Sequence, residues 1–166
     1  CWIKKFVEAT YSVDKVVYVT AGIKPRQLPD GKMVDPHAWQ SPKKGIIYVE
    51  NILKALINLQ PKFKTLYQNN ANKMISELKL LDNVIRKRQW NNIILTTHDA
   101  FGYLGNDYEI QFVSPMGVST DSQPSPKTIQ KIIDQVKTKK IKAIFIENIA
   151  NSKQIESIVK ETNTQI

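Results

Sequence analysis

The sequence predicts an α/β protein that comprises the end of one α/β lobe, a long connecting helix and most of a second α/β lobe with a parallel sheet. Short β-branched segments alternate with helical patterns in the last part of the chain, which is typical of parallel strands joined by right-handed crossovers. A long helical pattern without glycine or internal proline precedes them. We therefore divide the chain into the end of an N-terminal lobe at 1–60, a connecting helix at 61–90 and an incomplete C-terminal lobe at 91–166.

The first lobe begins with a predicted helix over residues 2–10, where apolar side chains recur at helical spacing. Residues 15–20 are rich in β-branched and aromatic side chains and predict a strand. A loop that contains glycine and proline follows. Ser41 and Pro42 then predict a helix start, because serine is a good N-cap and proline suits the first helical turn. Apolar spacing continues this helix to about residue 60.

The connecting helix is predicted from Pro61, which breaks or restarts the helical pattern, to about Arg88. A helix of this length spans about 40 Å at 1.5 Å per residue, which is more than a small domain needs. Heptad-like spacing is compatible with a coiled coil, but the single short apolar face favours a rigid strut between the two lobes.

The second lobe is predicted to contain three parallel strands separated by helices. The strands are predicted at 92–97, 108–113 and 141–146, and a fourth strand is predicted to start at 164. The intervening elements are a turn and short helix at 98–105, a helix that begins at Ser125 and Pro126, and a helix that ends at about 162.

The amino-acid composition limits the classes of function that this chain can have. The formal net charge is +9, but the lysines are dispersed except for a run at 137–142, where a solvated helix end is a better explanation than a nucleic-acid or membrane surface. The single cysteine, Cys1, excludes an internal disulfide framework and a multi-cysteine zinc site. No membrane span or signal peptide is recognised. Because the chain opens with Cys1 inside a helical pattern, we expect a processed or truncated product; the lipid-bearing first residue of a mature lipoprotein is the alternative.

The chain contains two histidines, His37 and His98, and each lies in a predicted loop near a carboxylate, Asp35 or Asp99. Neutral imidazole is the commonest protein ligand for transition metals. His98 and Glu147 each follow a predicted parallel strand, and ligands bind beyond the carboxyl ends of such strands. The sequence therefore predicts a cleft between the lobes that brings the two imidazoles together.

Structural interpretations remain open for each of these residues. A lone histidine is more often a surface or hydrogen-bonded side chain than a metal ligand. Glu147 is equally consistent with capping the helix that follows it. Asp35 is consistent with an Asx-turn, and Asp99 with the N-cap of the short helix after His98. The sequence contains no glycine-rich phosphate loop and no nucleophile elbow.

Four segments resemble, in order and at matching spacing, segments of the zinc- and manganese-binding solute-binding proteins of bacterial ABC transporters, also called the adhesin lipoprotein family. They are Asp-Pro-His-Ala-Trp-Gln-Ser-Pro at 35–42, His-Asp-Ala-Phe-Gly-Tyr at 98–103, Gln-Pro-Ser-Pro at 123–126 and Ile-Phe-Ile-Glu at 144–147. The resemblance implies two α/β lobes joined by one long helix, with a metal ion buried between them.

Carried over by position, the resemblance implies that His37 and His98 are metal ligands. It places Asp35, Asp99 and Glu147 in orienting or structural roles. Manganese-type members tend to carry glutamate at the position of His98, so imidazole there favours zinc over manganese. The family's first ligand histidine would lie upstream of this sequence and its fourth ligand, an aspartate, downstream. We therefore expect a fragment that lacks both ends and carries two ligands of four.

The resulting hypothesis is an extracytoplasmic metal-binding component of an ABC transporter that captures zinc, or alternatively manganese, for uptake. Its partner would be the cognate membrane permease, its location the periplasm or the cell surface, its state monomeric, and no nucleic acid would be involved. Two alternatives remain open: a truncated remnant without useful metal binding, and a metal-dependent hydrolase that uses His37, His98, Asp99 and a bound water.

Overall fold

The structure is a computed structural model, and its overall arrangement confirms the predicted α/β class. It describes residues 2–28, 31, 33–88, 90, 93–118, 124–141, 144–147 and 153–164. Within these ranges the helices are α1 (Trp2–Ala9), α2 (Pro42–Leu59), α3 (Lys64–Lys87), α4 (Gly102–Tyr108), α5 (Pro126–Thr138) and α6 (Lys153–Thr162). The strands are β1 (Ile94–Thr96), β2 (Phe112–Val113) and β3 (Ile144–Phe145).

The beginning of the chain agrees with the predicted helix but not with the predicted strand. α1 forms as expected, whereas residues 15–20 form the end of a short 3-10 turn, Val13–Lys15, followed by further turns. In the part of the chain that the structure describes, no strand pairs with this segment, and Val17 and Tyr18 are exposed. The prediction was wrong because β-branched and aromatic residues favour a strand only where a partner and a buried face exist.

Helices α2 and α3 form a helical hairpin, joined by the short 3-10 turn Pro61–Phe63. Both helices were predicted with nearly these bounds. Gly45 of α2 lies against Leu78 of α3, and a Cβ at that position would make an ordinary contact with Leu78 Cδ1 at 3.4 Å. The long helix α3 packs along α2, and its role as a strut between lobes stays a prediction, as does the division of the chain into lobes.

The C-terminal part of the chain contains the predicted parallel sheet, in the order β2-β1-β3. Ile94 pairs with Phe112, and Leu95 pairs with both Val113 and Ile144. The strands are shorter than predicted. Tyr108, the expected start of the second strand, instead ends α4, where Glu109 adopts a left-handed conformation with φ 57 and its N–H bonds back to Gly105.

Helices α5 and α6 cover this sheet. Ser125 caps α5 as predicted, since its hydroxyl oxygen accepts the N–H of Thr128 at 3.2 Å. Lys137 lies in the last turn of α5, in agreement with a solvated helix end. The buried apolar core is Leu95, Ile132, Ile133, Val136, Ile141, Ile144, Ile155 and Ile158. This core fixes the sheet edge from which the candidate site projects.

Some predictions fall outside the described residues, namely those on Cys1, on Gln123, on 142–143 of the third strand and on 165–166 of the fourth. Among the described helices, none combines the length and apolar character needed to cross a lipid bilayer.

Candidate metal centre

The side chains of the two histidines lie next to each other. The centroids of the His37 and His98 rings lie 5.3 Å apart, with the ring planes at 75°. Both residues are buried, with 8% and 5% of their surfaces exposed. The structure thus brings together the two residues that the sequence singled out as ligands, although their role as ligands stays a prediction.

Asp35 holds the His37 ring and its backbone. Its Oδ1 accepts the backbone N–H of His37 at 2.9 Å, which confirms the predicted Asx-turn. The same Oδ1 lies 2.9 Å from His37 Nδ1. With a hydrogen on Nδ1 bonded to the carboxylate, Nε2 is the nitrogen left to bind a metal. Trp39 lies edge-on to the His37 ring, at a centroid distance of 5.4 Å.

Asp35 is itself held by Arg26, a residue that the sequence argument missed. The Asp35 side chain is 0% exposed, and its Oδ2 lies 2.8 Å from Arg26 Nη1. The guanidinium also lies against Gly102, where a Cβ would overlap it. The backbone N–H of Arg26 donates to the Tyr103 hydroxyl at 2.8 Å. No local pattern marks Arg26, because these contacts join distant parts of the chain.

Glu147 holds His98 from the neighbouring strand. Its carboxylate contacts His98 Nδ1 and accepts a hydrogen bond from the Thr97 hydroxyl. The backbone N–H of His98 also donates to Glu147 Oε1 at 3.3 Å. Glu147 itself is not helical, and the first described residue of α6 is Lys153. The orienting interpretation of Glu147 therefore fits the structure better than the helix-cap interpretation.

Asp99 does not form the predicted helix cap. The N-cap of α4 is Phe101, without a side-chain hydrogen bond. The backbone N–H of Asp99 donates to the Gly117 carbonyl at 3.1 Å, and its side chain lines a neighbouring cavity of about 390 Å³ beside Met33 and Met116. Among the hydrogen bonds between described residues, none joins its carboxylate to His37 or His98.

The site as described therefore offers two nitrogen donors. Nowhere in the described ranges do three His, Cys, Asp or Glu side chains converge on one point suited to a metal ion. Zinc sites in proteins are usually tetrahedral, with three or four protein donors. Two imidazoles would make up half of a set of four donors, and in this pair a buried or half-buried carboxylate lies beside the Nδ1 of each ring.

Comparison with known proteins finds similarity to metal-uptake and metal-binding proteins. All residues, 1–166, match the family model of the zinc-uptake complex component A, periplasmic, abbreviated ZnuA. The iron-binding protein YfeA of Yersinia pestis is 34% identical over 99% of this chain and 55% of its own length. The manganese-binding lipoprotein MntA of Bacillus subtilis is 32% identical over 79% of this chain and 44% of its own.

The fold of this chain is similar to that of solved protein structures. The AdcAII protein of Streptococcus pneumoniae superposes with a TM-score of 0.83 at 28% identity, covering 97% of this chain and 64% of the other. The chain thus spans about half the length of the curated relatives it matches. The names of these relatives refer to zinc, manganese and iron, and none of them names an enzyme.

Proposed function

This chain belongs to the ZnuA family of periplasmic zinc-uptake components, and on that premise we propose that it forms part of a metal-binding component of an ABC transporter. The metal ion is the cargo, and His37 and His98 are its ligands from this chain. The observation that carries the proposal is the buried pair of imidazoles 5.3 Å apart, each with a carboxylate oxygen beside its Nδ1.

The arrangement is suited to binding without covalent chemistry. Asp35 and Glu147 fix the rings so that both present Nε2, and a carboxylate on Nδ1 raises the basicity of the ligating nitrogen. Burial of the two rings limits competition from water. Further donors, from water or from other protein groups, would complete the coordination that two imidazoles begin.

Zinc is the proposed cargo, and manganese is the alternative. Imidazole nitrogen is a softer ligand than carboxylate oxygen and suits zinc better than manganese, which accepts more oxygen. Since the relatives are named for three different metals, the preference rests on the donor set. Delivery to a membrane permease, a periplasmic or surface-tethered location and a monomeric state belong to the same proposal.

A metal-dependent hydrolase gains no support from the site. That alternative requires Asp99 to act with the two histidines, and its carboxylate makes no hydrogen bond to either ring among the described residues. The remaining alternative, a remnant without useful metal binding, is an outcome of the following experiment.

Zinc titration of the chain, with single His37→Ala and His98→Ala variants, tests the proposal. We expect one zinc ion per wild-type chain and an affinity weakened by at least about tenfold in each variant, since each removes one of two nitrogen donors. Calorimetry or competition with a chromophoric chelator measures it. Glu50→Ala, which removes an exposed carboxylate from α2, is the control and should bind as the wild type does. Equal, weak binding by all four proteins would contradict the proposal and favour the remnant.

Replacing Glu147 by alanine tests the orienting carboxylate. The His98 ring would lose its partner at Nδ1, and loss of such a partner typically costs about 10–100-fold in metal affinity. The same zinc titration measures the effect. Glu161→Ala removes an exposed carboxylate on α6 and should leave the affinity unchanged. An unchanged affinity in Glu147→Ala would show that the His98 ring is held by its packing alone.

A further inference from the structure

Asp107, on α4, connects the segments that carry the two histidines. Its Oδ2 accepts a hydrogen bond from the Ser41 hydroxyl at 2.5 Å, and its Oδ1 lies 2.8 Å from Lys44 Nζ. Its backbone carbonyl accepts from Lys43 Nζ at 2.9 Å. Ser41 is 0% exposed, and the Asp107 side chain is 14% exposed. The start of α2 and the end of α4 are thereby tied together at three points.

The charges in the first turn of α2 explain why the Asp107 carboxylate stabilises this helix start. The first turn of α2 carries Lys43 and Lys44 and no acidic residue. Cations at this end of a helix are unfavourable, because its free N–H groups carry partial positive charge. The sequence also predicts Ser41 as a capping residue, yet its side chain makes no cap hydrogen bond and donates to Asp107 instead. Asp107 therefore supplies, from another element, the negative charge that this helix start lacks.

The contacts of Asp107 join two segments that each begin at one of the histidines. His37 is followed directly by the 3-10 turn Ala38–Gln40, which ends at Ser41. His98 is followed by the short segment that enters α4, and Asp107 lies near the end of that helix. Each ring thus lies at one end of a short ordered segment, and the other ends of the two segments meet at Asp107.

We propose that Asp107 is a positioning residue whose bonds to Ser41 and Lys44 set the separation of the His37 and His98 rings. Its effect on metal affinity rests on the proposed function, whereas its effect on the ring separation does not. Asp107 contacts neither ring and binds no metal itself. It acts by holding the two supporting segments at a fixed distance.

A second set of contacts, independent of Asp107, holds α4 against α3. The Tyr108 hydroxyl donates to Asp82 of α3 at 2.7 Å, and Arg86 pairs with the same carboxylate at 2.9 Å. Burial, together with the bond to Asp82, raises the pKa of Tyr108 above its usual value, so this hydroxyl keeps its proton. In an Asp107→Asn variant α4 therefore stays attached to α3 while its link to the start of α2 is weakened.

The test uses ring-to-ring nuclear Overhauser effects in the chain labelled at histidine, since His37 and His98 are its two histidines. We expect a clear signal between the rings in the wild type and its loss or marked weakening in Asp107→Asn. Zinc affinity should fall by about tenfold, at the lower end of the range for residues that hold ligands in place. Ser41→Ala should change both readouts in the same direction. The double variant should be little worse than the more severe of the two single variants, because Asp107→Asn weakens and Ser41→Ala removes the same bond.

Asp134→Asn is the matched control. It makes the same chemical change on an exposed carboxylate of α5 that bonds to Gln130, and it should alter neither readout. Unchanged ring-to-ring signals in folded Asp107→Asn would overturn the positioning role, whatever the zinc affinity. If Asp107→Asn fails to fold, Ser41→Ala decides in the same way. A weakened signal together with an absence of zinc binding in the wild type would support positioning by Asp107 and contradict the metal-binding function.

Discussion

Replacing Arg26 by methionine is expected to lower the free energy of unfolding by about 3 kcal/mol, the lower end of the range for breaking a buried ion pair. Methionine preserves much of the length and packing of the side chain but removes its charge. Among the contacts between described residues, Asp35, 0% exposed at its side chain, would then keep only the bonds to His37. An uncompensated buried carboxylate is costly because neither water nor a cation replaces the lost partner.

The same variant should also weaken the metal site. Arg26 fixes Asp35, and Asp35 fixes the Nδ1 of His37, so the ring orientation depends on a chain of two bonds. Urea denaturation measures the stability change through the midpoint and slope of the transition. Zinc titration of the folded variant measures the second effect, which should be a loss of affinity and not a change in stoichiometry.

Arg86→Met is the matched control for Arg26→Met. Arg86 pairs with Asp82 at 2.9 Å, nearly the distance of the Arg26 pair, but its side chain is 53% exposed, against 22% for Arg26. Burial raises the pKa of Asp82, but hydrogen bonds from Arg86 and Tyr108 outweigh it and leave the pKa lowered. The contribution of this carboxylate is therefore present at neutral pH and is lost only as the pH falls through that lowered pKa. Equal small effects of both variants would show that burial adds nothing to the Arg26 pair.

The helices and the parallel sheet after residue 93 were predictable because these elements are decided locally or by simple burial. The cap at Ser125 follows from serine before proline, and the parallel sheet follows from buried β-branched segments that alternate with helices. Residues 15–20 have the same local preference for a strand, yet they form turns. What the sequence does not encode locally is the presence of a partner strand, on which the conformation of such a segment depends.

The candidate site, too, was predictable only in part. The meeting of His37 with His98 followed from their loop positions and from the resemblance of the segments around them. Asp107 was missed because its partners lie far away in sequence, as in the Ser41–Asp107 hydrogen bond across 66 residues. Arg26 was missed because a loop of no regular spacing separates it from Asp35, nine residues away. The sequence presents Ser41 as a capping residue, and nothing nearby reveals that a carboxylate from another helix takes its hydroxyl.

The buried leucine of the central strand carries the other large expected effect. Leu95→Ala should lower the free energy of unfolding by about 3 kcal/mol, within the range of 2–5 kcal/mol for buried leucines. Leu95 is 0% exposed, pairs with residues on both neighbouring strands and packs in the core with Ile144 and Ile158. The cost combines lost burial with a cavity, and β1 has little freedom to close that cavity because strands flank it on both sides.

Leu80→Ala makes the same chemical change at a leucine of α3 that is 65% exposed, and it should alter stability by less than about 0.5 kcal/mol. Urea denaturation of both variants provides the comparison. His98 follows β1 by way of Thr97, whose hydroxyl bonds to Glu147. Folded Leu95→Ala should therefore keep its zinc affinity, because the cavity lies in the core and the bonds that orient the ring remain. If affinity falls along with stability, the position of His98 depends on the packing of the strand as well as on its carboxylate.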